Sequence, residues 1–199
     1  MIQWGHASLP HPSGLAIGDL HVIREFPDGL LVGVMDGLGH GPGAATASRL
    51  CADVLMEYNG EPLPEIVSRC HDRLRGTRGV ALSLVSFNLK DRKMTWLSVG
   101  NVGAVLLRPP GSQGPRREFP LLRNGVVGSR LPRLQAATIP IESGDTLIFA
   151  TDGVRSDFSQ GLEPLGTSQQ IAEQLLEKHA TKNDDALVVV ARLLEQESA

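Results

Sequence analysis

Apolar residues recur along this chain in two rhythms, one of period two and one near 3.6, and the switches between them mark out the elements. Residues 15–26 alternate apolar and polar side chains around Gly18-Asp19, as a half-buried strand does. Pro27-Asp28-Gly29 is a turn signal. After it, Leu30-Leu31-Val32-Gly33-Val34-Met35 is an apolar run of strand length ending at Asp36, so the two strands are expected to form a hairpin. Beyond Gly37, Gly39, Gly41 and Gly43 the period changes. Ala47, Cys51, Val54, Leu55 and Tyr58 fall at helical spacing, in a helix that opens at Ala44-Ala45 and stops near Asn59-Gly60. Leu63, Ile66, Val67, Cys70 and Leu74 mark a second helix, with Glu65 placed for its positive N-terminal end.

From Gly76 the pattern turns to strands. Residues 80–89 and 94–99 flank the charged turn Lys90-Asp91-Arg92-Lys93, a second hairpin, and residues 102–107 follow after Gly100-Asn101. Residues 108–118 carry prolines and glycines and are expected to be a solvent loop. Residues 134–141 and 146–150 read as strands around the Glu142-Ser143-Gly144-Asp145 turn, and the second ends in Thr151-Asp152-Gly153. Thr167-Ser168-Gln169-Gln170 is a capping box that opens a third helix, whose stripe is Ile171, Ala172, Leu175, Leu176 and His179. Asn183-Asp184-Asp185 then precedes a nearly all-apolar strand over residues 186–194. Residues 1–14, rich in Pro, His and Gly, are expected to be an irregular lead-in. Many strands, mostly in hairpins, with only three helices predict an α+β fold of antiparallel sheets covered by helices. A doubly wound parallel sheet would need strands and helices to alternate throughout.

Composition narrows this picture without changing it. A chain of 199 residues, 41% hydrophobic, supports one substantial core, so residues 1–199 are expected to form a single domain. A net charge of -3 argues against a nucleic-acid footprint. No run approaches membrane-spanning length and the opening Met1-Ile2-Gln3-Trp4-Gly5-His6 has no secretory pattern, so a cytoplasmic location away from membranes is expected. Cys51 and Cys70, both on apolar helix faces, then read as reduced core residues.

The chemistry lies in the acids. Asp19, Asp36, Asp152 and the pair Asp184-Asp185 each abut an apolar strand. A single Asp-Gly is most often a turn, and Gly18-Asp19 alone reads as a strand bulge. Together they form a pattern of carboxylates delivered to strand ends, and clustered carboxylates repel unless cations balance them. With no Cys or His at ligand spacing, the cations are expected to be hard, Mg²⁺ or Mn²⁺. Two such ions about 3.5–4 Å apart make a hydrolytic centre for phosphate esters. His40, in the glycine loop beside Asp36, either lines the site or only shapes the loop. The rival reading takes Gly39-x-Gly41-x-x-Ala44 as a dinucleotide fingerprint, although Asp36 would then face a pyrophosphate.

Asp36-Gly37-Leu38-Gly39-His40-Gly41-Pro42-Gly43-Ala44-Ala45 resembles the signature of the bacterial branch of the metal-dependent type 2C (PPM) serine/threonine phosphatases. Ser98-Val99-Gly100-Asn101, Gly144-Asp145-Thr146-Leu147 with Thr151-Asp152-Gly153-Val154, and Asp184-Asp185 follow in that family's order, and the likeness is nearest to its small stressosome-associated members. The resemblance implies two mostly antiparallel β-sheets packed as a sandwich with helices on the outer faces. It implies catalytic Asp36, Asp152 and Asp184, with two Mn²⁺ or Mg²⁺ ions held by Asp19, Asp36, the Gly37 carbonyl, Asp152, Asp184 and Asp185. His40, Gly39, Gly41, Gly153 and Asn101 are its expected site-lining residues. The implied substrates are phosphoserine and phosphothreonine on stressosome scaffold proteins of the STAS-domain type, removed to reset a stress response, with no organic cofactor. A catalytically weak relative acting as a binding module is the alternative. Leu187 stands where the family often has Thr. No arginine lies just upstream of Asp19 to hold a phosphate, which leaves Arg24, Arg49 and Arg155 as candidates and shifts recognition toward the metals and the partner's surface.

Overall fold

The computed structural model describes residues 1–11 and 16–194. The elements in chain order are β1 (Ile2–Leu9), β2 (Asp19–Phe26), β3 (Gly29–Gly37), α1 (Pro42–Leu55), α2 (Leu63–Arg73), β4 (Val80–Asn88) and β5 (Lys93–Val99). Then follow β6 (Gly103–Leu107), β7 (Arg117–Glu118), β8 (Leu122–Arg123), β9 (Ala137–Pro140), β10 (Thr146–Ala150), α3 (Ser168–His179) and β11 (Ala186–Leu193). One sheet runs β1-β11-β10-β6-β7. The other runs β2-β3-β4-β5, with β8 parallel and β9 antiparallel to β5.

The two sheets stack face to face with helices outside, α1 and α2 on the second and α3 on the first. Period-two side chains therefore meet core on both faces. Along β3, Leu30, Val32 and Val34 point between the sheets against Phe149 and Val189, while Leu31 and Met35 meet Cys51, Leu55 and Ile66 of the helices. Along β11, Leu187 and Val189 face inward and Val188 and Val190 face α3. This explains apolar runs in antiparallel strands, where one wet face would normally impose alternation. Each fully buried aliphatic or aromatic side chain here contributes about 1.5–3 kcal/mol of transfer energy.

The two expected hairpins form, β2 with β3 and β4 with β5. The capping box of α3 is present, Thr167 accepting from the Gln170 backbone and Gln170 from that of Thr167. Cys51 and Cys70 are free and buried. Three expectations fail. Of residues 1–14, expected to be an irregular lead-in, residues 12–14 lie outside the described residues and Ile2–Leu9 is instead an edge strand antiparallel to β11. Its pattern is obscured by Gly5, which the fold requires: a Cβ there would stand 2.4 Å from the backbone nitrogen of Gln169 on α3. The first strand of the first hairpin begins at Asp19, and the expected start at Leu15 lies outside the described residues. The stretch over 108–118 is not purely a solvent loop. Arg108 is 4% exposed, with ion pairs to Asp145 at 3.0 Å and Glu118 at 2.8 Å, and Arg117–Glu118 pairs with β6.

No helix among the described residues is long and apolar enough to cross a membrane.

Candidate metal centre

The sandwich is open at one end, and four of its chain segments place an acid there. Asp36 has the same parity on β3 as Val32 and Val34, so it follows them inward at the strand's last turn. Asp19 is its register partner on β2, which sets the two carboxylates side by side on one face. The facing sheet supplies Asp152, two residues past β10, and Asp184-Asp185, just before β11. Asp36, Asp152 and Asp184 line one cavity of about 540 Å³, together with Gly39, Asn101 and Leu38.

Asp19, Asp152 and Asp185 are each held by a partner from another segment of the chain. Thr151 Oγ1 donates to Asp19 Oδ2 at 2.6 Å and accepts from the Leu187 backbone nitrogen at 2.9 Å. Leu187, where the resemblance leads one to expect Thr, turns into the core between the sheets. Asn101 Nδ2 donates to Asp152 Oδ2 at 2.8 Å. Asp185 is buried and accepts from the Gly18 backbone nitrogen, while Ser48 Oγ donates to the Gly18 carbonyl. Asp185 thus braces the strand that carries Asp19, and Asp184, exposed beside it, faces the cavity.

Gly37 and Gly153 are fixed by close approach. A Cβ at Gly37 would lie 2.3 Å from the Ala44 carbonyl oxygen, and at Gly153 1.9 Å from that of Asp185. Gly39 lines the cavity, whereas His40 and Gly41 are not among its lining residues. Gly41 precedes α1 with φ +80°, and the His40 ring stacks on His11 at 5.6 Å while its carbonyl accepts from Arg78. Of the arginines considered for a phosphate, Arg24 is bonded to the Tyr58 carbonyl and Arg49 to that of Ala45. Arg155 pairs with Asp157. Thr151, Ser48 and Arg78 are the supporting residues that sequence reasoning missed; only Thr151 carried a signal, its place next to Asp152.

The electrostatics follow from burial and crowding. Burial, then the neighbouring Asp19, Asp152, Asp184 and Asp185, push the Asp36 carboxyl up to about 8. Burial likewise lifts Asp19 to about 7, with Thr151 pulling it down and Asp185, Asp152 and Asp184 pushing it up. Asp152 is raised by burial and by Asp184, against the Asn101 hydrogen bond. No cationic side chain lines the cavity among the described residues, and Asp185 Oδ1 is buried without a hydrogen-bond partner. An all-oxygen donor set of this kind suits Mg²⁺ or Mn²⁺. Among the described residues no three acids close into a tight cage. The acids ring a cavity instead, which fits a small hard ion that keeps several waters and takes one or two carboxylates directly.

The dinucleotide reading fails on topology. β3 is antiparallel to both β2 and β4, so the glycine loop opens no strand–helix–strand unit.

A two-sheet sandwich flanked by helices, with acids from both sheets meeting at its open end, defines a class, and comparison with known proteins agrees. The profile of stage II sporulation protein E (SpoIIE) matches residues 27–197, and the chain belongs to that family. It is a protein phosphatase of the PP2C type, a class that works with divalent cations. Among individual relatives, the chain is 27% identical over 177 residues to phosphoserine phosphatase RsbX of Bacillus subtilis (strain 168), covering 88% of this chain and 87% of RsbX. The crystal structure of RsbX in complex with magnesium superposes with TM-score 0.85 at 26% identity, covering 96% of this chain and 95% of that one. A chain from work on the bacterial stressosome, a modular system adapted to control secondary messenger signaling, gives TM-score 0.85 at 26% identity. It is matched over 96% of this chain and 100% of its own length.

Proposed function

We propose that this phosphatase removes phosphate from phosphoserine and phosphothreonine of STAS-type stressosome scaffold proteins in the cytoplasm, resetting a stress response, with residues 1–199 acting as one catalytic domain. The observation that carries the reading is the convergence of Asp36, Asp152 and Asp184 from two sheets on one cavity whose lining, among the described residues, offers no cationic side chain. Asp36, Asp152 and Asp184, with Asp19 and the Gly37 carbonyl, would hold two Mg²⁺ or Mn²⁺ ions. Asp185 acts as a brace on Gly18, which its hydrogen bond supports. Bound there, the cations supply a nucleophile at neutral pH and charge compensation for the phosphoryl group.

The chain's own residues do the positioning. Thr151 fixes the Asp19 carboxylate and Asn101 fixes that of Asp152, which lines the cavity. Backbone that passes Gly37 and Gly153 without a side chain lets the end of β3 lie against α1 and the Asp152 loop lie against Asp185. With no lining arginine to grip the phosphoryl group, binding energy must come from the partner's surface, and energy gained away from the reacting atoms lowers the barrier too. The likeness to RsbX and to the chain from stressosome work supports a scaffold partner. The test compares a serine-phosphorylated STAS-domain protein with a short phosphopeptide cut from it, at saturating Mn²⁺. The phosphoprotein is expected to show kcat/KM on the order of a hundredfold higher, about 2.7 kcal/mol. Equal values would remove the scaffold from the account.

A further inference from the structure

Beside the carboxylate cavity lies a second one of about 450 Å³, and the two share Asn101, Leu122 and Asp152 as a common wall. Phe119 and Phe158 make much of the rest of its lining apolar. The segment between β7 and β8 forms one side, and it leaves Phe119 61% and Leu121 56% exposed. Large apolar side chains gathered in water next to a reactive site mark a contact surface. On the opposite side, Gly103 of β6 leaves open space. A Cβ there would meet only the Ala150 carbonyl oxygen at 3.5 Å and Phe158 at 3.7 Å, both ordinary contacts. Arg155, the one cation at its rim among the described residues, is already offset by Asp157.

We propose that this second cavity is a substrate subsite, which takes one apolar side chain of leucine size lying one to three residues from the phosphoserine in the phosphorylated partner. The inference rests on the phosphatase reading above and adds the part of the partner's surface nearest the reaction. The shared wall is the argument for the occupant. A chain that delivers its phosphoryl group to the carboxylates must pass the mouth of the adjoining cavity. An extended chain advances about 3.3–3.6 Å per residue, with side chains alternating in direction, so the neighbour that reaches across one wall is only a few positions away. The volume falls within the range of ligand pockets, about 300–1,000 Å³. An apolar lining whose rim cation is already offset, with Asp152 in its wall, selects against an acidic neighbour, whose desolvation nothing there would repay.

The probes are phosphoserine peptides on a Gly/Ser/Ala background, each with one Leu at a different position from three before to three after the phosphoserine. Phosphate release is followed at saturating Mn²⁺, with the serine-phosphorylated STAS-domain protein alongside. One position is expected to raise kcat/KM about tenfold over the background peptide, a gain that Asp at the same position does not give. Gly103→Leu fills the cavity and Phe119→Ala opens its wall at an exposed position; in each, the ratio of the best Leu peptide to the background peptide is expected to fall close to one. A flat series across all positions, or a ratio that persists in both variants, overturns the subsite and leaves the phosphatase reading standing. Absence of metal-dependent release from every peptide and from the phosphoprotein overturns both.

Discussion

Replacing Asp36 by Asn should stabilise the protein without metal and destabilise it, relative to the native chain, with metal. The Asp36 carboxyl has its pKa raised from 3.8 to about 8, by burial first and then by the four other carboxylates. The sign follows from linkage. The folded state keeps a proton that the unfolded chain releases above pH 3.8, so stability is greatest below that pH and is lost as pH rises toward 8. At about 1.4 kcal/mol per pH unit, and allowing for solvent screening at the cavity mouth, the ionised form costs the metal-free fold on the order of 3–5 kcal/mol above pH 8. A domain of this size shifts by about 2–4 °C per kcal/mol. Asp36→Asn should therefore melt roughly 6–20 °C above the native chain at pH 8.5 in chelator, with a smaller gap at pH 5. Saturating Mn²⁺ should reverse the order, since each of two ions at a hundred times its Kd adds about 2.7 kcal/mol to the native chain, together about 5.4 kcal/mol and more than that cost, and little to the variant. Thermal unfolding at two pH values, with chelator and with Mn²⁺, reads all of this. A variant that melts below the native chain in chelator at pH 8.5, or a gap that ignores pH, would refute the charge-crowding argument and make Asp36 a structural acid.

Two further predictions concern the supports. Arg108→Met should lose about 3–5 kcal/mol in urea unfolding, because it leaves the Asp145 carboxylate buried and unpaired, and adding Asp145→Asn should recover part of it. Thr151→Val keeps the volume but removes the donor to Asp19 and the acceptor for the Leu187 nitrogen; calorimetric titration should show Mn²⁺ binding weakened about 10–100-fold, with far-ultraviolet dichroism unchanged.

What the sequence disclosed depended on whether a pattern was local. The hairpin from Asp19 to Gly37 and the capped helix from Ser168 were legible because turn residues, caps and periodicity lie within a few positions of each other. The acids at strand ends were legible for the same reason, and the fold brings Asp36, Asp152 and Asp184 to one cavity. The role of Ile2–Leu9 was not legible, since Gly5 and His6 break its pattern and its reason for being a strand is β11, more than 170 residues away. Arg108 looked like loop polarity because its partners Glu118 and Asp145 lie in other elements. The division of labour between Asp184 and Asp185 was equally hidden: adjacent identical residues separate only when one accepts from Gly18 and the other faces the cavity.

The central claim is that these carboxylates act through divalent cations on a phosphoserine ester. Its most direct measurement is phosphate release from a serine-phosphorylated protein by metal-stripped enzyme titrated with Mn²⁺, with Asp36→Asn run in parallel. The account predicts negligible release without metal, saturable recovery as Mn²⁺ is added, loss with chelator, and a variant on the order of a hundredfold or more below the native enzyme at every concentration. Full turnover in the metal-stripped native enzyme, or undiminished turnover in Asp36→Asn, would contradict it.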